Sequence, residues 1–344
     1  MAAAEGVANL VRNCAEVQRG EKVLIINEQG AMDPAVADLM AEAVRAAGAR
    51  AEVMWHDAPE GSGPGRGGQL PEELLRAIIS ADKVIANYPL RDRAIEPHVG
   101  PDSRVLIVHS IFRTEEHFAS EHARYHWGMA NAIYDRFENE LFADGRRFRL
   151  AGTGGTDVSG VIGPVSERAR QLEDEKAGFS RSFNSPAYIP VASLRCEGQA
   201  VIEYTGGFRR VPIDHPPTLI IEGNKITRVQ GPPEARQWVE EYAKVIDERL
   251  EQHGVEANKV DSWHGGLHPT AECTPGPLGL IGNASTDMMH FHVGPTGDHM
   301  QAQWGRVILE LDGVRIIDDG EYVPEWDDAN LRETARRFGL EDWK

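Results

Sequence analysis

The feature that most constrains the fold is a regular alternation, in the first third of the chain, of short apolar runs with longer amphipathic segments. The apolar runs have the length of strands and lie at residues 22–27, 51–56, 83–87 and 104–109. The segments that precede or separate them have the length and periodicity of helices and lie at residues 3–17, 33–47 and 71–80. Because parallel strands need crossover connections, usually helices, this order predicts a doubly wound parallel α/β sheet.

The helix predicted at residues 33–47 has recognisable signals at both ends. Asp33 stands at the N-cap, Pro34 takes the first helical position and Gly48 follows the last helical residue. An aspartate accepts a hydrogen bond from the first free amides, a proline has no amide to leave unpaired, and a glycine readily ends a helix. These signals place a helix between the first and second strands.

Beyond residue 144 the pattern changes to strands joined by turns. Predicted strands cover residues 147–151, 188–194, 199–204, 218–222, 226–230, 306–311 and 314–318. Predicted helices cover residues 166–175, 233–253 and 327–337. The glycine-rich stretch 152–157 is interpreted as a strand-to-strand turn rather than a phosphate loop, because no helix signal follows it. This part of the chain is therefore predicted to be a β-rich α+β domain.

At 344 residues, the chain exceeds the size at which one hydrophobic core usually stops growing. We predict an α/β doubly wound domain at residues 1–145, a connecting segment at 146–180 and the β-rich domain at 181–344. The glycine-rich stretch 58–69 is expected to be a surface loop of the first domain.

Charge and cysteine content exclude several classes of protein. The net charge of -18 and the pI of about 5.2 disfavour contact with a nucleic-acid backbone. No apolar stretch approaches the roughly 20 residues that span a bilayer, and the N-terminus does not resemble a signal peptide, so a cytoplasmic protein with no membrane partner is expected. The widely spaced Cys14, Cys196 and Cys273 indicate neither a disulfide framework nor a zinc knuckle. Cys273 is either a reactive thiol or, as we favour, a small packed residue.

Polar side chains end the predicted parallel strands. Asn87 ends the third strand, and His109 with Ser110 ends the fourth. In open parallel sheets, ligands bind beyond the carboxyl ends of the strands, so we predict that Asn87 and Ser110 contact a substrate. The alternative is that polar residues simply terminate the strands. No glycine-rich nucleotide motif follows the first strand, so nucleotide binding has no support.

A histidine-rich segment near the C-terminus provides the strongest sign of chemistry. Of 13 histidines, five fall within 36 positions, namely His264, His268, His290, His292 and His299. Even spreading would place one or two there. Because neutral imidazole is a common ligand for zinc, iron, copper and nickel, the segment predicts a metal or catalytic site. For any single histidine, an ordinary hydrogen-bonded or exposed imidazole is the alternative.

Spacing suggests the metal ligands. On a strand, His290 and His292 point to one face while Phe291 points to the other. His264, followed by two glycines that permit close backbone approach, is the favoured third ligand, and His299 is the candidate fourth.

Two further residues of the segment are candidates for acid–base chemistry. His268 and Glu272 lie between the predicted ligands and are assigned as acid–base groups or as partners that orient the ligands. No fixed metal-binding motif matches the segment.

A succession of short motifs in the second half of the chain follows an order known from one family. The motifs lie at residues 155–157, 184–193, 198–204 and 217–226, with Gly231 before a helix. This order resembles the shared core of the thermophilic metallo-aminopeptidases (aminopeptidase T-like proteins). The same fold is used by the iron(II) ring-cleaving enzyme 2,5-dihydroxypyridine 5,6-dioxygenase, which is closer to this chain in length. The resemblance spans about residues 1–320 and implies a metal-dependent enzyme and a homo-oligomer.

The chain departs from this family at its carboxylates. The stretch 186–189 contains no carboxylate where the peptidases place a metal-binding glutamate, and His299 is followed two positions later by Gln301 instead of an aspartate. Residues 266–269 fit a turn that follows the dioxygenase's glutamate ligand, with Asp261 or His264 near the glutamate's place. Because a dinuclear site needs bridging carboxylates, these departures favour one ion held mostly by imidazoles.

Our first hypothesis is a mononuclear dioxygenase that opens the ring of a small hydroxylated N-heterocycle or aromatic acid. Its cofactor is one divalent metal ion, with Fe(II) favoured and Zn(II) or Mn(II) as alternatives. His109 is the candidate base for a ring hydroxyl, because imidazole titrates near neutrality, and Arg113 is the candidate partner of a substrate carboxylate.

The second hypothesis is a zinc-type metallohydrolase that cleaves an amide or lactam bond. Zinc lowers the pKa of a bound water, and Glu272 is the candidate for moving its proton. A binding protein without turnover is the third reading and the least favoured, because a large α/β body with polar strand ends generally serves catalysis.

Overall fold

A computed structural model describes residues 2–57, 70–87, 105–163, 180–184, 191–205, 212–233, 259–272, 284–293 and 300–344. Within these ranges, only the backbone is described at residues 191–194, 205, 261–262, 292–293 and 300–302. The predicted loop at 58–69, the predicted helix at 166–175, the predicted helix at 233–253 after its first residue, and the candidates Cys273 and His299 lie outside the described residues.

The described helices and strands are as follows in chain order. The α-helices are α1 (Ala2–Ala8), α2 (Pro34–Ala46), α3 (Glu72–Ile79), α4 (Glu115–Ala119), α5 (Glu121–Arg124), α6 (Trp127–Arg136) and α7 (Ala329–Arg337), and π-helical turns cover Asn9–Cys14 and Phe137–Leu141. The strands are β1 (Lys22–Glu28), β2 (Arg50–His56), β3 (Lys83–Asn87), β4 (Leu106–His109), β5 (Arg147–Gly152), β6 (Asp157–Ile162), β7 (Ser180–Ser182), β8 (Val191–Val201), β9 (Tyr204–Thr205), β10 (Thr218–Glu222), β11 (Lys225–Gln230), β12 (Val260–Gly265), β13 (Met288–Val293), β14 (Met300–Gly305), β15 (Val307–Leu311), β16 (Val314–Asp318) and β17 (Glu321–Tyr322).

The N-terminal sheet confirms the predicted doubly wound α/β fold. Its strand order is β2-β1-β3-β4-β7, and every neighbouring pair is parallel. The central strands are buried on both faces, as their continuous apolar runs predict. One part of the core packs Leu74 and Ile78 of α3 against Leu24, Ile26 and Val84 of the sheet.

The predicted signals at the ends of helix 33–47 are confirmed in α2. The Asp33 side chain accepts a hydrogen bond from the Ala35 amide at 2.9 Å, and Pro34 occupies the first helical position. The last helix begins in the same way, because the Asp328 side chain accepts from the amides of Asn330 and Leu331 at 2.9 and 3.0 Å. An N-cap carboxylate satisfies amides that the helix itself leaves unpaired.

The second sheet is antiparallel and confirms the β-rich prediction for the C-terminal part. Its strand order is β17-β16-β15-β5-β6-β8-β12-β13-β14-β9, and β10 pairs with both β8 and β11. The predicted turns at 152–157, 222–225 and 311–314 each join two antiparallel neighbours.

The structure contains elements that were not predicted, namely strands β6, β12, β14 and β17 and helices α4, α5 and α6. Two further strands, β8 and β7, also differ from the prediction. The segments predicted as separate strands at 188–194 and 199–204 include one continuous strand, β8, which runs from Val191 to Val201. Gly198 has φ +134, and a Cβ there would lie 2.1 Å from the Asp157 carbonyl oxygen, so the strand continues through a position that only glycine can fill. The short β7 was not predicted, because three polar residues, Ser180 to Ser182, have no strand pattern of their own.

The chain divides into two compact units. One comprises Met1–Ala130 with Ser166–Ser185, and the other comprises Asn131–Val165 with Pro186–Lys344. These bounds differ from those predicted, because β7 pairs with β4 of the first sheet while β5 and β6 pair within the second. In the described ranges, no helix is both long and apolar enough to cross a membrane.

Candidate functional site

Three antiparallel strands of the second unit place the candidate metal ligands on one sheet face. β13 lies between β12 and β14, and His290 is directly opposite His264 on one side and Gln303 on the other. Gln303 in turn lies opposite Tyr204 of β9. Directly paired residues share a face of the sheet, so these four residues form one line across four strands. We call His264, His290, Gln303 and Tyr204 the histidine row.

The two imidazoles of the histidine row stack on each other. The ring centroids of His264 and His290 are 5.0 Å apart, and the planes differ by 9°. His290 is 3% exposed, whereas His264 is half-buried. The two rings can give one ion two nitrogen donors only if they turn, because each nitrogen binds a metal in the plane of its ring and these planes are nearly parallel. The pair would then begin an imidazole-dominated metal site.

His292 belongs to the next line of the same strands. Its backbone pairs with Ser262 on one side and Gln301 on the other. Its side chain, like His299, lies outside what the structure describes. Among the described residues, no group of three or more histidines, cysteines, aspartates or glutamates could hold a metal ion. The assignment of His292 and His299 as ligands therefore stays a prediction.

The opposite face of the same strands is an aromatic layer. Trp263, Phe291 and Trp304 are fully buried, with ring centroids 5.0 Å apart for Trp263 and Phe291 and 5.8 Å apart for Trp263 and Trp304. The Trp304 indole nitrogen donates to the Ala151 carbonyl at 3.3 Å. Phe291 thus faces away from His290. We call these three residues the aromatic layer; it holds the strands of the histidine row by tight packing.

Gly266 allows a close backbone approach beside the row. A Cβ at Gly266 would lie 2.2 Å from the carbonyl carbon and oxygen of Ala284 and from the Ser285 oxygen. His268 follows on the same chain; it is 1% exposed, and its amide donates to the Ala284 carbonyl at 2.9 Å. The glycine therefore lets segment 266–268 lie directly against segment 284–285.

The two acid–base candidates have contrasting surroundings. The His268 Nδ1 accepts a hydrogen bond from the Thr270 amide at 3.4 Å, so one ring nitrogen is oriented from within its own turn. Glu272 is exposed. Neither role is tested by these positions, and both stay predictions.

Sequence reasoning missed Gln303 and Tyr204 as members of the histidine row. Gln303 is 1% exposed, and Tyr204 is half-buried. The sequence shows Gln301 and Gln303 alternating along one strand. Only the pairing of β14 with β13 shows that Gln303 lies beside His290. The row contains one amide, Gln303, and no carboxylate, whereas a dinuclear site would need bridging carboxylates.

The candidate substrate contacts lie in the first unit, at the carboxyl ends of the parallel strands. The Asn87 Nδ2 donates to Asn27 Oδ1 at 2.9 Å, and Ser110 is buried. Arg113 forms an ion pair with Glu28, its Nη2 lying 3.2 Å from a carboxylate oxygen. His109 is half-buried at the last position of β4.

Burial shifts the pKa of two other histidines of this unit. Desolvation lowers the pKa of His117, whose Nδ1 accepts from the Arg113 amide at 3.2 Å. Desolvation also lowers the pKa of His122 to about 4, although its hydrogen bond to the Asn184 carbonyl acts in the opposite direction. Both imidazoles are therefore held neutral at physiological pH.

Comparison with known proteins identifies the fold. No protein-family model matches the chain, and no curated protein does. The structure is similar to that of 2,5-dihydroxypyridine dioxygenase from Pseudomonas putida KT2440, with a TM-score of 0.65 and 18% identity, covering 93% of this chain and 97% of that one. It is also similar to AmpT from Thermus thermophilus, with a TM-score of 0.50 and 15% identity over 93% of this chain and 99% of that one. The resemblance inferred from the motifs is thus confirmed at the level of fold.

Proposed function

We propose that this chain is a mononuclear metal-dependent dioxygenase, with Fe(II) as the preferred ion, that opens the ring of a small hydroxylated N-heterocycle or aromatic acid. The observation that carries the proposal is the stacked pair His264 and His290 on one sheet face. The fold, shared with a 2,5-dihydroxypyridine dioxygenase, supports the same choice.

The donor set favours one ion over two. Next to the imidazole pair, β14 supplies Gln303, with Gln301 opposite His292, and neither carries a charge that would bridge two cations. Imidazole suits iron, and a site with about three protein ligands leaves positions for a substrate and for oxygen. His264 and His290 would hold the ion, and His292 and His299 are proposed as the further ligands. When bound, the ion supplies Lewis-acid and redox chemistry toward oxygen and the oxygen groups of the substrate.

The residues around the pair would fix the ligands and limit water. The aromatic layer excludes water from one side of the strands and holds the register that sets the two imidazoles opposite each other. Tyr204 and Gln303 supply hydrogen-bonding groups in line with the ligands. His268 and Glu272 are proposed as proton carriers, and in the first unit His109 is proposed as the base for a substrate hydroxyl.

Oxygen consumption tests the proposal. Protein loaded with Fe(II) under anaerobic conditions is mixed with a panel of hydroxypyridines and cyclic amides, with and without oxygen. We expect oxygen uptake with at least one hydroxypyridine, its loss in His290→Ala, and its retention in His215→Ala, a control at an exposed histidine of the same unit. Turnover of a cyclic amide by the zinc-loaded protein without oxygen would replace the proposal with a metallohydrolase.

A further inference from the structure

Tyr322, the last residue of β17, donates a hydrogen bond to the backbone beside the histidine row. Its hydroxyl lies 2.8 Å from the carbonyl oxygen of Leu267, and both residues are buried, with exposed fractions of 8% and 0%. Leu267 stands three positions after His264 and directly before His268. The bond therefore ties the stretch between these two histidines to a residue that is 55 positions away in the sequence.

The backbone between His264 and Leu267 has no side chains of its own to fix it. Residues 265 and 266 are both glycines, and glycine has more backbone freedom than any other residue. The Gly266 amide donates to the Met288 carbonyl at 3.3 Å, which is longer than the usual distance of about 2.9 Å. Contacts with other segments therefore have to determine where the backbone after His264 lies.

The turn before Tyr322 holds the neighbouring segment as well. Segment 266–268 lies along segment 284–288, to which its amides donate hydrogen bonds. The Thr286 hydroxyl donates to the carbonyl of Gly320, two positions before Tyr322. The start of β17 and the turn that leads into it thus hold both of the paired segments beside the histidine row.

Two tryptophans fix the ring of Tyr322. The Trp326 ring stacks on it, with centroids 5.7 Å apart and planes 20° apart. The fully buried Trp343 ring meets it edge to face, with centroids 4.9 Å apart. Because the ring is held by both neighbours, its hydroxyl points at the Leu267 carbonyl in a set direction.

Lys344 holds the stretch that follows Tyr322. Its ammonium donates to the carbonyls of Val323, Pro324 and Trp326 at 3.0, 3.2 and 2.6 Å. An ammonium has three hydrogens to donate, so these three carbonyls satisfy it. The support behind Tyr322 is therefore both aromatic and polar.

The hydroxyl of Tyr322 has a role that packing alone does not require. A phenylalanine would fill the same space but leave the buried Leu267 carbonyl without this hydrogen bond, which is unfavourable. The nearly parallel rings of His264 and His290 have to turn before they can bind one ion. A backbone held at Leu267 confines that turn to the side-chain torsions of His264.

We propose that Tyr322 is a positioning residue for the histidine row. Its hydroxyl holds the Leu267 carbonyl, and the backbone fixed in this way keeps His264 opposite His290 while the two rings turn toward a shared ion. The inference rests on the proposed function, because it takes the histidine row to be a metal site.

Hydrogen–deuterium exchange of the metal-free full chain tests the positioning without an ion. In Tyr322→Phe, we expect the peptide that covers residues 263–268 to exchange at least tenfold faster than in the unaltered protein. Phe142→Leu is the control, because it alters a buried ring packed against Phe137, 5.5 Å away, and keeps the Tyr322 hydroxyl. Unaltered exchange in Tyr322→Phe, or the same acceleration in the control, would overturn the proposal.

Binding of Co(II) tests the effect on the metal site, because the visible spectrum of this ion depends on the number and arrangement of its ligands. We expect Tyr322→Phe to bind Co(II) at least fivefold more weakly and to show an altered spectrum when saturated, and Phe142→Leu to match the unaltered protein. A general loss of stability would not alter the spectrum of the saturated site. Unchanged affinity and spectrum in Tyr322→Phe would overturn this proposal alone, whereas no Co(II) binding by the unaltered chain would overturn the proposed function with it.

Discussion

Each of the two sheets carries a line of polar side chains, but the sheets build these lines differently. One line is the histidine row; the other, which we call the amide row, consists of the buried residues Asn27, Asn87 and Ser110 at the carboxyl ends of β1, β3 and β4. The amide row stands at strand ends, where parallel strands in register finish together. The histidine row lies in strand interiors of an antiparallel sheet, so its members meet only because of long-range register. The first contains two amides and a hydroxyl, whereas the second contains two imidazoles.

The packing behind the two rows differs as well. Asn87 of the amide row contacts the Met40 side chain of α2. The histidine row has the aromatic layer on the other face of its strands. Parallel strands in register bring their ends together directly, whereas a row within antiparallel strands depends on the packing that fixes the register.

The largest effect is expected at Gly266. In Gly266→Ala, the new Cβ would meet backbone atoms of residues 284 and 285 at 2.2 Å, so the backbone beside the histidine row has to move. We expect a loss of more than about 4 kcal/mol in the free energy of unfolding, measured by urea denaturation. Gly145→Ala is the control, because nothing lies within 4 Å of its Cβ and the cost comes from its φ of +83 alone, about 1 kcal/mol. Equal losses in the two variants would contradict the close approach.

Removal of the aromatic layer should be nearly as costly. Trp304→Ala deletes a fully buried ring and is expected to lower the free energy of unfolding by about 3–5 kcal/mol. Met40→Ala, also fully buried but behind the amide row, is the matched variant and is expected to cost about 3 kcal/mol. Metal affinity should fall in Trp304→Ala and persist in Met40→Ala. Equal metal affinity in the two variants would contradict the prediction that the aromatic layer supports the metal site.

Acid should destabilise the first unit through His122. Its folded pKa of about 4 lies below the usual value of 6.5, because burial disfavours the charged imidazole. Between these two values the unfolded chain binds more protons, so stability falls as pH falls from 6.5 to 4, by on the order of 3 kcal/mol. His122→Gln keeps a donor and does not titrate, so urea denaturation of that variant should depend less on pH over this window. An unaltered pH dependence would show that other groups dominate.

The smallest effects are expected at the two helix starts. Asp33→Ala removes one side-chain hydrogen bond and should cost about 1 kcal/mol. Asp328→Ala should cost more, about 2 kcal/mol, because the buried Asp328 also pairs with Arg136 at 2.7 Å. Thermal denaturation of both variants measures the two losses of stability. A loss in Asp33→Ala as large as or larger than the loss in Asp328→Ala would contradict the predicted order.

Local signals made much of the fold predictable from the sequence. Strand β3, at Lys83–Asn87, matches the prediction residue for residue, and the α2 cap at Asp33 formed as expected. The short polar β7 was not predictable, because its pairing with β4 supplies the order that its own residues lack. Strand β8 was divided in the prediction, since Gly198 reads as a break when its close contact with residue 157 is unknown.

The candidate site was predictable only within single strands. Alternation correctly set Phe291 apart from His290, because that relation is local. The places of Gln303 and Tyr204 in the histidine row depend on β14 and β9 pairing beside β13. Register of this kind is set by the packing of the whole sheet and cannot be read from either strand alone.

Metal stoichiometry tests the central claim most directly, that the histidine row holds one ion. Chelator-treated protein is loaded with Fe(II) under anaerobic conditions and freed of excess metal. The bound iron per chain is then measured by inductively coupled plasma mass spectrometry. The account predicts one iron per chain in the unaltered protein and in His215→Ala, and loss of the iron in the double variant His264→Ala and His290→Ala. Retention of a full iron by the double variant, or no iron in the unaltered protein, would contradict it.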